Sequence, residues 1–279
     1  MRFSLSKVLK RHPLISFFVL AYALSWWPWP LYALGLAPSN IIGFGPFLAA
    51  LVVLALTRGK RGIVGLLKAM VRWRVGPAWY AVALLLPIGV PLGATVLNVL
   101  LGAPAPSSAE LGAWPGLLTT YLLLLLIPGI GGAWEEPGWR GYATPELQAG
   151  RSALSASLII GVVWAFWHLP LMVTGTIPWS DIAYIVVQSV VYAWLFNTTG
   201  GSVLLVMLFH TMNNVISGGF FHAMFSGAEW VRMGWLLVAL WCAVALIVVV
   251  VNGPEHLSRK HNRQTPTPPE GATLAPRVA

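Results

Sequence analysis

Ionisable side chains are scarce in this sequence, and the few inside its apolar stretches are the ones equipped for chemistry. Glu135, Glu136 and Arg140 follow one apolar stretch, in the run Gly132-Ala-Trp-Glu-Glu-Pro-Gly-Trp-Arg-Gly141. His168 closes a second, Val162 to Pro170, and His210 and Asn214 lie in a third. Ionisable groups held within lipid are costly and mark functional sites by default. Glu136 and Arg140 are four residues apart, so on a helix they face each other as an ion pair. Glu135 projects about 100° away around a helix of 3.6 residues per turn, which leaves it free for another partner. His210 and Asn214 share one helix face by the same i,i+4 spacing. A carboxylate in apolar surroundings can act as a general base near neutral pH, an imidazole can orient water or carry a proton, and a carboxamide can donate to a developing oxyanion. That is equipment for hydrolysis.

Three helices must bring these groups to one depth. If the helix bearing Glu135 continues to the turn at Ala149-Gly150-Arg151, the carboxylate lies roughly 20 Å from that end at 1.5 Å per residue. His168, on the next helix, comes out at roughly 25 Å, and His210 with Asn214 at roughly 12–18 Å. Pro137, Gly138 and Pro145 are positioned to break the first helix and shift its estimate by several Å.

The elements that would carry them are membrane spans. Of 279 residues, 57% are hydrophobic and 9% charged, against about 25% charged in a soluble domain. Apolar runs at about 13–35, 40–57, 78–101, 115–134, 152–173, 180–197, 202–218 and 232–251 each approach the ~20 residues needed to cross the hydrocarbon core. The expected fold is therefore an all-α, polytopic integral membrane bundle of about eight transmembrane helices. Its membrane domain is residues 1–251, with the motif-bearing core at about 115–218. The first apolar run is too long for a cleaved signal segment. From Asn252 the chain turns polar and proline-rich, which predicts a disordered cytoplasmic tail over 252–279.

The net charge of +9 does not point to nucleic acid, because its positions follow membrane topology. Basic residues precede the first span, fill the loop at 58–77 and recur in the tail, as the positive-inside rule expects of cytoplasmic segments. Only Arg232 then falls outside, so both termini are expected in the cytoplasm, with the protein in the plasma (inner) membrane. Within 58–77, Arg and Lys alternate with Ile63, Val64, Leu66, Leu67, Met70 and Val71, an amphipathic helix suited to the interface. Trp26, Trp27, Trp29, Trp79, Trp114, Trp179 and Trp230 sit near span ends as interfacial anchors. The single cysteine, Cys242, excludes an intrachain disulfide and a cysteine-ligated metal. His222 carries no assigned role, and the Gly218-Gly219 pair reads as a helix-packing or turn feature rather than a ligand loop.

The clusters Glu135-Glu136-x-x-x-Arg140, Trp164-x-x-x-His168 and His210-x-x-x-Asn214 resemble, in order, the motifs of the CAAX prenyl protease and bacteriocin-processing (CPBP, Abi) family of intramembrane proteases. The stretches Phe44–Ala50 and Arg72–Val75 look like that family's amino-terminal half. Trp164 stands where the family pattern has Phe, a departure expected to alter packing more than chemistry. The resemblance implies an intramembrane endopeptidase acting on a membrane-associated peptide or protein, in CAAX-type or leader-type processing.

In this reading Glu135, His168, His210 and Asn214 are catalytic, and Glu136 and Arg140 support them. No cofactor is required. A zinc version would use Glu135, His168 and His210 as ligands with water in the fourth position, although no His-Glu-x-x-His helix is present. The bilayer and a peptide substrate are the expected partners. A proton-coupled transporter and a non-enzymatic scaffold or immunity protein are the alternatives.

Overall fold

Long runs of Leu, Ala and Val pay little entropy in a helix, and several of these runs begin with a proline in the first turn, where its missing N–H costs nothing. Pro13, Pro77 and Pro115 each start a helix in this way. The structure, a computed structural model, describes residues 9–259. Among them every regular element is helical: α1 (Pro13–Trp26), α2 (Trp29–Ala33), α3 (Gly45–Met70), α4 (Pro77–Leu100), α5 (Ser108–Gly112), α6 (Pro115–Leu126), α7 (Glu136–Gly138), α8 (Thr144–Gln148), α9 (Ala153–Trp167), α10 (Leu169–Val173), α11 (Asp181–Thr198), α12 (Val203–Asn213) and α13 (Gly227–Asn252).

The fold is an all-helical membrane protein, as expected, but the count of eight spans is not matched element for element. Among the described residues, four stretches are long and apolar enough to cross a membrane: Pro13–Ala33, Pro77–Leu100, Val203–Met224 and Gly227–Asn252. The apolar helices α6 and α9 are shorter. The span expected at 115–134 stops as α-helix at Leu126; Ile127 leaves helical geometry, and Gly131 is extended before a 3-10 turn over Gly132–Glu135. Pro128, Gly129, Gly131 and Gly132 explain the break, since Pro removes a donor and Gly resists helix.

Helix α3 carries the expected amphipathic segment at its far end. Gly59 has φ 58° and ψ −152°, a backbone state open to glycine and strained for other residues. The helix therefore kinks there, and the half bearing Lys60, Arg61 and Lys68 turns away from the apolar half. Beyond α6 the helix expected through Glu135 is broken three times. The 3-10 turn passes into α7, then into a π-helical stretch over Trp139–Ala143, then into α8. The depth expected for a straight helix does not apply to Glu135.

Residues 253–259 correct the expected boundary of the tail. The amides of Ala153 and Leu154 donate to the carbonyls of Glu255 and Pro254, Asn197 Nδ2 donates to the His256 carbonyl at 2.8 Å, and Leu257 is buried. The chain is thus pinned beneath α9 and α11 before it passes, at residue 260, outside the described residues. The tail's remainder and Arg2 and Lys7 also lie outside them.

Candidate active site

Glu136 is the structural hub. Its Oε1 accepts from Arg140 Nη1 at 3.1 Å and from His210 Nδ1 at 2.6 Å. Glu136 and Arg140 are fully buried. The expected i,i+4 pair therefore forms, and it also fixes His210 across the bundle. Arg140 is further held over the faces of Trp164 and Tyr192, at 4.1 and 4.4 Å from their centroids, and it approaches Ser189 Oγ. Cation–π contact in a desolvated setting is worth up to about 2 kcal/mol or more. A guanidinium so enclosed is a rigid strut.

Glu135 points elsewhere, as its angular offset requires. Its Oε2 accepts from Trp164 Nε1 at 2.7 Å. The phenyl ring of the family pattern has no donor and the indole supplies one, so Trp164 brings a polar contact to Glu135 in addition to its packing. His168 Nδ1 lies 2.8 Å from the Trp164 carbonyl. A carbonyl only accepts, so Nδ1 carries the proton and Nε2 of the neutral ring is left as an acceptor. His210 Nδ1 likewise donates to Glu136, leaving its Nε2 end against Gly132. A Cβ at Gly132 would collide with the His210 ring, so only glycine allows the 3-10 turn to pass this close.

Glu135, His168, His210 and Asn214 all line one cavity of about 490 Å³, within the size range of small-molecule and peptide sites. Its floor is buried Glu135 and His210. Its rim is formed by exposed Ser39, Thr176, Gly218 and Gly219. Gly218 and Gly219, read from the sequence as packing or turn residues, are part of this rim. His222, assigned no role, also lines the cavity.

Three further residues enter the site for which residue spacing carries no signal. Tyr184 Oη and Gln188 Nε2 both donate to Asn213 Oδ1, each at 3.0 Å. With its oxygen doubly engaged, Asn213 keeps its amide Nδ2 as the free donor. Asn213 and Asn214 line the cavity side by side. The clue in the sequence is the doubled Asn-Asn, which motif spacing alone resolves in favour of the second.

For zinc, the donor chemistry fits and the grouping does not. Two imidazoles with Nδ1 fixed on oxygen acceptors resemble ligands held by outer partners. Among the described residues, however, no three His, Cys, Asp or Glu side chains are grouped to hold a metal ion. The steps below run through protein groups and water.

The comparisons with known proteins follow the motif-bearing part of the chain. Residues 115–216 match the family model described as type II CAAX prenyl endopeptidase, Rce1-like. The chain is also 26% identical over 135 residues to a protein of Methanococcus maripaludis named CAAX prenyl protease 2, covering 43% of this chain and 50% of that one. The match thus spans about half the length of that curated relative. Both likenesses support the family read from the three motifs.

Proposed function

We propose that this protein is an intramembrane endopeptidase that hydrolyses a peptide bond in a membrane-associated peptide or protein, in CAAX-type or leader-type processing. The observation that carries the reading is Glu135, bound by the Trp164 indole on the floor of a cavity it shares with His168 and His210. Glu135 takes a proton from a water as that water's oxygen attacks the scissile carbonyl carbon. His168 Nε2 accepts the water's second hydrogen and fixes its direction. The carbonyl oxygen becomes an oxyanion, which the amides of Asn214 and Asn213 stabilise. His210, tied to Glu136, keeps the floor in register. The C–N bond then breaks, the proton held by Glu135 passes to the leaving nitrogen, the remaining hydroxyl proton passes by way of His168 to the same nitrogen, and a carboxylate and an ammonium depart.

No metal is invoked in these steps. The name of the Methanococcus maripaludis relative, CAAX prenyl protease 2, supports the reaction class. We also read the basic end of the bundle, with both termini, as cytoplasmic, on the positive-inside rule.

The test is cleavage by the full chain in detergent, wild type against Glu135→Gln at equal folded fraction. General-base loss is expected to cost about 10²–10⁴ in turnover, and a chelator should leave the wild type unchanged. Equal turnover in the two proteins would exclude Glu135 as the base, and turnover abolished by chelator but restored by zinc would exclude the metal-free steps.

A further inference from the structure

The cavity has a second pole, and its chemistry is one-sided. Asp181 is the only aspartate in the chain. It opens α11 as a half-buried residue on the cavity wall. The helix dipole favours a negative charge there, but a half-buried carboxylate has lone pairs that need donors. Among the described residues no side chain donates to it, and it makes no cap hydrogen bond of its own.

His222 faces the same space and is also an acceptor. Its Nε2 lies 2.9 Å from the Trp230 carbonyl, so Nε2 carries the proton and Nδ1 of the neutral ring remains an acceptor. The neighbouring Tyr184 hydroxyl hydrogen is already spent on Asn213 and Ser217. No lysine or arginine lines the cavity, although the chain carries seventeen.

We propose that Asp181 is a specificity-determining residue, giving the wall of the cavity a subsite for a cationic group of the substrate, an ammonium or guanidinium. This deepens the peptidase reading and rests on it. The preferred substrate is then a polypeptide with a basic residue, or a free amino end, close to the cleaved bond.

The experiment uses the full chain carrying Glu135→Gln, which is expected to bind without cleaving, in nanodiscs. The probes are fluorescein-labelled heptapeptides with an apolar background, amidated at the carboxyl end, carrying one Lys, norleucine or Glu. One set is acetylated at the amino end, and one norleucine peptide has a free amine, which separates a side-chain ammonium from a terminal one. The Lys or free-amine peptide is expected to bind at least about tenfold more tightly than acetylated norleucine, since leaving a desolvated charge unpaired costs that much or more. Asp181→Asn, nearly isosteric, should erase the preference, and Asp181→Lys should turn it toward Glu. Equal affinity for cationic and norleucine peptides, or a cation preference that survives Asp181→Asn, would overturn the subsite while leaving the peptidase reading intact. Failure of every peptide to bind, together with no cleavage by the wild type, would remove the peptidase reading and the subsite with it.

Discussion

At one end of the bundle the chain joins itself through cations: Arg72 donates to the Gly200 carbonyl, Ser202 to the Arg72 carbonyl, and Arg58 meets Glu146. Lys60, Arg61 and Lys68 on the far half of α3, and Arg74 and Arg151 in loops, add to the basic residues of this end. At the other end the joints centre on neutral amides: Asn40 bridges Pro170 and Thr174, and Asn98 donates to the Glu229 carbonyl while accepting from Arg232 Nε. Helix α11 runs between the two ends, from Asp181 at the cavity to Thr198 near Gly200, about 25 Å at 1.5 Å per residue. One end is built to stay at a charged membrane face, while the other surrounds a cavity whose formal charges are carboxylates. On the proposed reading, the charge that sets orientation in the bilayer and the charge that meets the substrate lie at opposite ends of the protein.

The sharpest way to break the comparison is to ask which side each end faces. In a Cys242→Ser background, Ser39→Cys at the cavity rim should react with an impermeant thiol reagent in intact cells. Arg61→Cys should react only after permeabilisation. The contrast is all or none. Both sites labelled in intact cells would overturn the cytoplasmic placement of the basic end, and the reverse pattern would in addition open the cavity to the other compartment.

The next effect separates scaffold from chemistry within the cavity end. Removing one member of a buried ion pair costs about 3–5 kcal/mol, and Glu136 holds Arg140 and His210 at once. Glu136→Gln and Arg140→Ala should therefore lower thermal stability markedly, while Glu135→Gln should leave it near wild type. Melting curves in one detergent decide the matter. A Glu136→Gln protein as stable as wild type but without turnover would move Glu136 into the catalytic group.

These contrasts also show what could be read from residues alone. The pairing of Glu136 with Arg140 and the divergence of Glu135 follow from helix geometry, because both concern neighbours within one turn. The helical class follows from composition, since uninterrupted apolar runs can satisfy their backbone in lipid only as helices or closed barrels. The break at Ile127–Gly131 had a visible cause in Pro128 and three glycines, but the apolar count over 115–134 outweighed it. The roles of His222 and Asp181 needed the return of α13 and the start of α11 to be placed in space. Leu257 looked like part of a solvated tail because nothing local indicates that α9 and α11 leave a seat for it. Motif spacing reported local geometry well and cavity walls poorly.

The smallest expected effect tests the one place where the chain departs from the family pattern. Trp164 donates to Glu135 and offers its ring face to Arg140. Trp164→Phe keeps an aromatic face but removes the indole N–H, so it isolates the donor from most of the packing. Hydrogen bonds to charged groups are worth about 1.5–3 kcal/mol. If the bond holds the carboxylate toward the water, turnover should fall by about ten- to a hundredfold with a far smaller change in melting temperature. The smaller ring also leaves space beside Tyr192 and His210, which pack edge-on to Trp164, so some stability loss is expected whatever the role. The informative readout is therefore turnover at equal folded fraction, compared with Trp164→His, whose ring can restore a donor. Partial rescue by His supports positioning through the hydrogen bond. Equal turnover in wild type and Trp164→Phe would reduce Trp164 to packing, and the cavity floor would then depend on Glu136 and His210 for its geometry.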